Sequence, residues 1–269
     1  MTDFGRVQDY YNHFPEERRL QLMGDSGKLE FEMSMRIFRK YVGTGKTILD
    51  LGGGAGVYSF ALAADGNKVT LADLSPRLIE VAKQADTEHV LQCDVVNALN
   101  LEIYEDGQFD VVLLMGPLYH LLEASEREQC VRECRRVLKK GGQIFAAFIP
   151  YLSGSIALVD RYINHPEQVD VANLHECFES GRFVNNADSG FQEGYYPTSK
   201  EITVLFAENG FEKITVRSIR GFGIEREEMI YGIEDEAMRE EIFSWIDATA
   251  EDESIVNMCS HAMYVGKKN

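Results

Sequence analysis

The sequence predicts a doubly wound α/β fold, and three observations carry that prediction. Apolar runs of strand length alternate with helical stretches through the first 149 residues, a rhythm that builds a parallel sheet covered by helices on both faces. A glycine-rich turn, LGGGAG at 51–56, joins the first run to the next helix, the outline of a nucleotide-binding βαβ unit. Asp50, Asp73 and Asp94 close the first three runs, which places all three at the carboxyl edge where open α/β sheets bind ligands.

Taken in order, residues 6–42 read as helical, with Leu20, Leu22, Leu29, Phe31, Met35, Phe38 and Val42 set among charges. TILDL (47–51) is a strand and YSFALAADG (58–66) a helix stopped at Gly66. KVTLADL (68–74) is the second strand. Ser75-Pro76 then opens a helix at the position where the missing proline N–H costs nothing. HVLQCD (89–94) and FDVVLLM (109–115) follow, the latter apolar on both faces as a central parallel strand should be. Residues 125–139 form a helix stopped by Gly141-Gly142, and QIFAAFI (143–149) is the fifth strand. The rhythm breaks over 150–197, 48 residues in which no period is visible. TSKEITVLFAENG (198–210) reads as a helix capped by Thr198 or Ser199, and FEKITVRSI (211–219) as a strand. A helical insertion at about 225–250 precedes a last strand, AMYVGKK (262–268). These two final strands lack the βα rhythm, so one of them could insert antiparallel.

Bulk composition narrows the functional classes. Hydrophobic residues make up 45% of the 269, enough for a full core without staples. The net charge of −17 would repel a phosphate backbone, and the densest basic run, RRVLKK (135–140), suits the C-terminal turn of a helix. Nucleic acid is therefore disfavoured as a partner. Five cysteines form no disulfide framework in a chain this long, which suits a reducing cytoplasm. Cys130 and Cys134 share a helix face, but Val137 stands where a third cluster ligand would be needed, so no metal is expected. The opening MTDFGRVQ has no basic stretch leading into an apolar one, and no run is long enough to span a bilayer. The expectation is a soluble, cytoplasmic protein without a membrane partner.

Which nucleotide the turn serves depends on its spacing. The dinucleotide fingerprint G-x-G-x-x-G/A is met at Gly52 and Gly54 but fails at Val57. The glycines follow D-x-G-x-G-x-G instead, from Asp50 through Gly56. A carboxylate at Asp50 would repel a pyrophosphate and attract an ammonium. Asp73 is placed to accept both hydroxyls of a ribose, and Asp94 to accept from an adenine amine. Together they describe an adenosine with a cationic amino-acid tail, which is S-adenosylmethionine.

The chain resembles class I S-adenosylmethionine-dependent methyltransferases, closely over 46–149 and more loosely over 196–219. DLGGGAGVYSFALA, VTLADLSP, MGPLYHLLEASER, RVLKKGGQIFAAFI and SHAMYVGKK resemble one small bacterial branch, most of whose members have no assigned substrate. The resemblance implies a Rossmann-like sheet of seven strands, mostly parallel, with an antiparallel last strand and helical cap insertions. It also implies that Gly52 and Gly54 admit the methionine part and that the Met115 carbonyl faces its amino group. Asp73 would hold the ribose, Asp94 and the Val95 N–H would read the adenine, and Leu74 would pack on the adenine face. An N-terminal helix closes over the cofactor in similar enzymes, so Tyr11 could lid the methionine tail with Arg19 near its carboxylate.

On the acceptor side, MGPLY (115–119) lacks the amide or acid of the Asn/Asp-Pro-Pro-aromatic turn used for base amines, and no Pro-Cys nucleophile is present. Tyr119 and His120, directly after the cofactor turn, are candidate catalytic residues, as is His261 before the last strand. A histidine of ordinary basicity can serve as a base at neutral pH. Arg161, Tyr162, His175, Arg182, Tyr195 and Tyr196 are candidate pocket lining. The expected organisation is an N-terminal helical lid (1–45), a cofactor core (46–149), a cap insertion (150–197) over the acceptor pocket, and the rest of the core (198–269). The favoured function is methyl transfer to a small-molecule acceptor. Methylation of RNA or protein, or non-catalytic cofactor binding, remain alternatives, and the oligomeric state, monomer or homodimer, is open.

Overall fold

The structure is a computed structural model that describes residues 1–187 and 191–269. In chain order the elements begin with α1 (Phe4–His13), a single 3-10 turn, α2 (Arg19–Leu22), α3 (Asp25–Tyr41), β1 (Thr47–Leu51), α4 (Val57–Ala64) and β2 (Lys68–Asp73). Next come α5 (Pro76–Ala85), β3 (Leu91–Val95), β4 (Phe109–Leu114), α6 (Ala124–Val137) and β5 (Leu138–Phe148). The insertion holds α7 (Tyr151–Asn164), α8 (Val171–Ser180), β6 (Arg182–Val184) and β7 (Glu193–Tyr195). The chain finishes with α9 (Ser199–Glu208), β8 (Phe211–Ser218), α10 (Glu227–Tyr231), α11 (Glu236–Thr249), α12 (Glu253–Met258) and β9 (Ala262–Lys268).

Seven strands make one sheet in the order β3-β2-β1-β4-β5-β9-β8. All neighbours are parallel except β9, which runs antiparallel to both β5 and β8. The order reverses between β1 and β4, so a crevice opens there at the carboxyl edge. Because β9 runs the other way, its first residue also lies at that edge, with Ala262 opposite Phe148.

Side-chain alternation divides the core into two layers. Leu49, Leu51, Val112, Leu114, Ile144 and Ala146 face Cys130, Val131 and Cys134 of α6 and Phe206 of α9. Ile48, Val111, Leu113, Phe145 and Val265 face Leu29, Met33, Ile37 and Phe38 of α3, Leu62 of α4 and Phe243 and Ile246 of α11. The cysteine pair is thus fully buried, and all five thiols are free. Among the described residues, no helix is long and apolar enough to cross a membrane.

Three boundaries differ from the sequence reading. The helix expected over 6–42 is three pieces, broken at Pro15, whose ring stops α1 from continuing, and at Gly24, which adopts φ +59°. Helix α6 ends at Val137, ahead of the glycines, because Leu138 already pairs with Phe109. Gly141, at φ +74°, serves a register shift inside β5 instead of a helix stop. The stretch 150–197 is not irregular: α7 and α8 pack around Leu158, Val169, Cys177, Phe183 and Tyr196, a small core of its own. Residues 188–190 of that segment lie outside the described residues.

Candidate active site

The turn after β1 folds as it does because three of its glycines adopt positive φ: Gly52 at +77°, Gly54 at +58° and Gly56 at +86°. Gly52 also lies against the ring of Pro117, where a Cβ would come within 2.5 Å of Cδ. The turns after β1 and after β4 therefore meet backbone to ring across the crevice. Asp73 holds the Gly52–Gly54 turn in place. One carboxylate oxygen accepts from the Gly54 N–H at 2.9 Å and the other from the Ser75 N–H at 2.8 Å. Ser75 in turn caps α5. Burial pushes the Asp73 carboxyl upward, against the lowering effect of those backbone donors.

A cavity of about 1050 Å³, mouth included, opens over this turn. Gly52, Gly53, Gly54, Asp73 and Leu74 line it from one side, and Met115, Pro117, Tyr119 and His120 from the other. Phe4, Val7 and Tyr11 of α1 cover it, and Glu16, Arg19 and Leu20 close one end. Val96, Asn97 and Ala98 form the wall beyond β3.

Several expected residues stand elsewhere. Asp50 does not line the cavity: it is fully buried beneath the turn, accepting from Ser59 Oγ at 2.7 Å. A Cβ on Gly53 would touch its carboxylate, so the turn itself separates Asp50 from the opening. Burial raises its carboxyl to about 6, partly offset by the Ser59 hydroxyl. Asp94 is engaged by Gln92 Nε2 at 2.9 Å and the Tyr104 hydroxyl at 3.0 Å, and Val95 is 50% exposed. Neither lines the cavity, because the chain turns inward one residue later at Val96, whose N–H reaches the Asp73 carbonyl.

Tyr11, Tyr119 and His120 do come together. The Tyr11 hydroxyl meets His120 Nε2 at 2.8 Å, and the rings of Tyr119 and His120 lie 4.9 Å apart. The Tyr119 hydroxyl donates to the Met115 carbonyl at 3.4 Å. His120 is not the base of ordinary strength expected from sequence. Burial pushes its imidazole down to about 4, only partly opposed by a contact with the Glu193 backbone, so it is neutral and weakly basic at pH 7. Burial likewise pushes the Tyr11 and Tyr119 phenols well up.

Arg19 is held between two acids, Glu16 at 2.9 Å and Glu30 at 2.9 Å. His261 does not line the cavity; it stands at the start of β9 with its ring 6.1 Å from that of Tyr119. None of the six insertion candidates lines the cavity either. Arg161 donates to the Phe191 carbonyl, Arg182 pairs with Glu123 and Glu176, and Tyr195 lies under the Arg127 guanidinium. Tyr196 is buried against Gly154, while Tyr162 and His175 face solvent. The insertion instead grips the cover: Arg6 of α1 reaches the Ala187 carbonyl and Gln192, and the Asp3 N–H reaches Glu193. Its Phe191 ring lies 4.9 Å from His120. Sequence reasoning missed Glu16, Glu30, Phe4, Val7 and the 96–98 wall. Only Glu30 carried a signal, as an acid flanked by Leu29 and Phe31 on a buried helix.

Sheet order, glycine turn and crevice together make a Rossmann-like core with a ligand crevice at its carboxyl edge. Within it, residues 49–146 match the family model described as Methyltransferase domain. Over 116 residues the chain is 34% identical to the Ubiquinone biosynthesis O-methyltransferase of Xanthomonas oryzae pv. oryzae, covering 42% of this chain and 47% of that one. It thus spans about half the length of the curated relatives it matches. Among solved structures, a SAM-dependent methyltransferase from Methanosarcina mazei is similar with a TM-score of 0.60 at 21% identity, covering 86% of this chain and 96% of that one. The 1,6-didemethyltoxoflavin-N1-methyltransferase of Burkholderia thailandensis, solved with S-adenosylhomocysteine, is similar at 0.61 and 13%, covering 98% and 88%.

Proposed function

We propose that the protein transfers the methyl group of S-adenosylmethionine to a small-molecule acceptor. The observation that carries this reading is the cavity between the Gly52–Gly54 turn and Pro117–His120, covered in part by the α1 aromatics, with Asp73 at one side. Displacement at a sulfonium needs alignment and exclusion of water more than covalent help, and a covered cavity supplies both. A macromolecular acceptor would need α1 lifted away, whereas a small one needs only the mouth. Two similar proteins are named for methylating small molecules, the Xanthomonas O-methyltransferase and the Burkholderia N1-methyltransferase, which supports the same class of acceptor. In this reading Gly52 and Gly54 admit the methionine part, Leu74 packs on the adenine, and the Met115 carbonyl receives the amino group. Arg19 would exchange one of its acids for the methionine carboxylate.

Calorimetry tests the cofactor. S-adenosylmethionine and S-adenosylhomocysteine bind one per chain, and NAD and NADP do not, because Val57 occupies the third dinucleotide position and itself lines the cavity. Tight binding of NADH at this site would overturn the reading.

The cover is proposed to be α1, steadied by residues 182–187 and 191–195, with the insertion acting at second hand. Hydrogen exchange with S-adenosylhomocysteine should then slow in 4–13 and, more weakly, in 182–187 and 191–195. Equal protection of α1 with and without ligand would mean a fixed wall instead of a moving cover.

A further inference from the structure

We propose that His261, oriented by the buried carboxylate of Glu30, is the general base that takes the proton from a hydroxyl acceptor as the methyl group arrives. The proposal rests on the methyltransferase reading and adds to it the class of acceptor and the path of the proton.

Topology brings the pair to the site from opposite ends of the chain. His261 immediately precedes β9, whose first residue lies at the carboxyl edge beside the end of β5. Glu30 comes from α3 and is almost wholly buried. One of its oxygens takes the Arg19 guanidinium at 2.9 Å, while the other faces His261 Nδ1 at 3.5 Å. Neither that oxygen nor Nδ1 has a hydrogen-bond partner, although both are buried. The two atoms need only a small approach to bond, and catalytic hydrogen bonds commonly tighten when substrate binds. A carboxylate on one imidazole nitrogen fixes the tautomer and stabilises the cation that forms when the other nitrogen takes a proton.

Elimination leads to the same residue. His120 is depressed to about 4, and its Nε2 is taken by Tyr11. The Tyr11 and Tyr119 phenols are raised by burial and hold their protons. Asp73 is braced by two backbone donors and its remaining acceptor sites serve the ribose in the proposed reading, and Glu16 is tied to Arg19. Among these groups only the His261–Glu30 pair joins an imidazole to a carboxylate, and it stands directly behind the Tyr119 wall of the cavity, the two rings 6.1 Å apart. The other charged groups nearby are Arg19, already neutralised between its two acids, and Arg220, which binds Ser260 and pairs with Glu227.

The step balances without any further reactant. The acceptor oxygen forms the new O–CH3 bond as the C–S bond breaks, and the bonding pair leaves with sulfur as a neutral thioether. The hydroxyl proton goes to His261, which later releases it to water. A hydroxyl is the acceptor for which this base matters most, since its proton must leave before or during attack.

The test uses the full chain, methyl-tritiated S-adenosylmethionine, and catechol, 3,4-dihydroxybenzoate and 4-hydroxybenzoate as probe acceptors. His261→Asn should lower kcat about 100-fold or more on any phenol the wild type methylates, with the S-adenosylhomocysteine Kd held within about threefold. Glu30→Gln should lower kcat on the same phenol about tenfold with the phenol KM nearly unchanged, because the carboxylate that orients the imidazole is lost. Glu30→Asp should recover part of that kcat. A purely structural Glu30 would change stability and leave kcat of the folded variant in place, which would overturn the proposal. So would a His261→Asn enzyme within threefold of wild type, or a wild type that binds S-adenosylhomocysteine yet methylates none of the phenols. Failure to bind S-adenosylhomocysteine at all would instead remove the underlying methyltransferase reading.

Discussion

Asp73→Asn is expected to weaken S-adenosylhomocysteine binding at least tenfold, about 1.4 kcal/mol or more, in a protein that still folds. Both oxygens already accept a backbone N–H, from Gly54 and from Ser75. An ionised carboxylate has about four acceptor sites, so two remain for the ribose hydroxyls. Such charge-assisted bonds contribute about 1.5–3 kcal/mol each before losses. Asparagine loses the charge and keeps one acceptor oxygen, so it retains one of the two backbone braces while giving up most of the ribose recognition. Asp73→Ala removes both functions: two buried N–H groups lose their partner at roughly 1–3 kcal/mol each, so Tm should fall as well. Isothermal titration of both variants beside thermal denaturation distinguishes the cases. An unchanged Kd for Asp73→Asn would reduce Asp73 to a brace.

The difference between these two roles marks where sequence reading stopped. The strand ends, the glycine turn and the caps at Ser75 and Thr198 were legible because each depends on local chemistry. Thr198 and Glu201 form the capping box their spacing suggests, and β1 and β9 match the apolar runs residue for residue. The antiparallel β9 was implied by family resemblance and by a missing βα rhythm, and it now explains why His261 reaches the ligand edge. Side-chain direction was not legible. Asp50 and Asp94 sit on the right strand ends, but one lies under its own turn and the other is held by Gln92 and Tyr104. The insertion misled for a related reason: its aromatic and basic residues are spent on a private core and on gripping α1. Glu30 could not be paired with a histidine 231 positions away, because long-range contact leaves no local pattern.

Asp50→Asn is expected to stabilise the empty protein at neutral pH and to weaken it as a cofactor binder. Burial holds the Asp50 carboxyl at about 6 against an ordinary 3.8. Between those values the folded chain keeps a proton that the unfolded chain releases, so stability falls as pH rises through the window and stays lower above it. The full difference is about 3 kcal/mol at pH 7. Asparagine has the shape of the protonated acid, still accepts from the Ser59 hydroxyl, and does not titrate. Denaturant melts should therefore show the variant more stable by up to about 3 kcal/mol at pH 7, with the gain gone near pH 4. A buried charge retained at that cost needs a compensating role, and stability is often given up at ligand sites. The carboxylate lies directly beneath Gly53, which lines the cavity, so its field acts through the turn on a cation bound above. Asp50→Asn should accordingly raise the Kd of S-adenosylhomocysteine, which carries an ammonium, and leave that of its deaminated analogue nearly unchanged. A stability gain equal at pH 4 and pH 7 would mean that folding leaves the Asp50 carboxyl at its ordinary strength. Equal losses for the two ligands would mean that it shapes the turn without sensing the amino group.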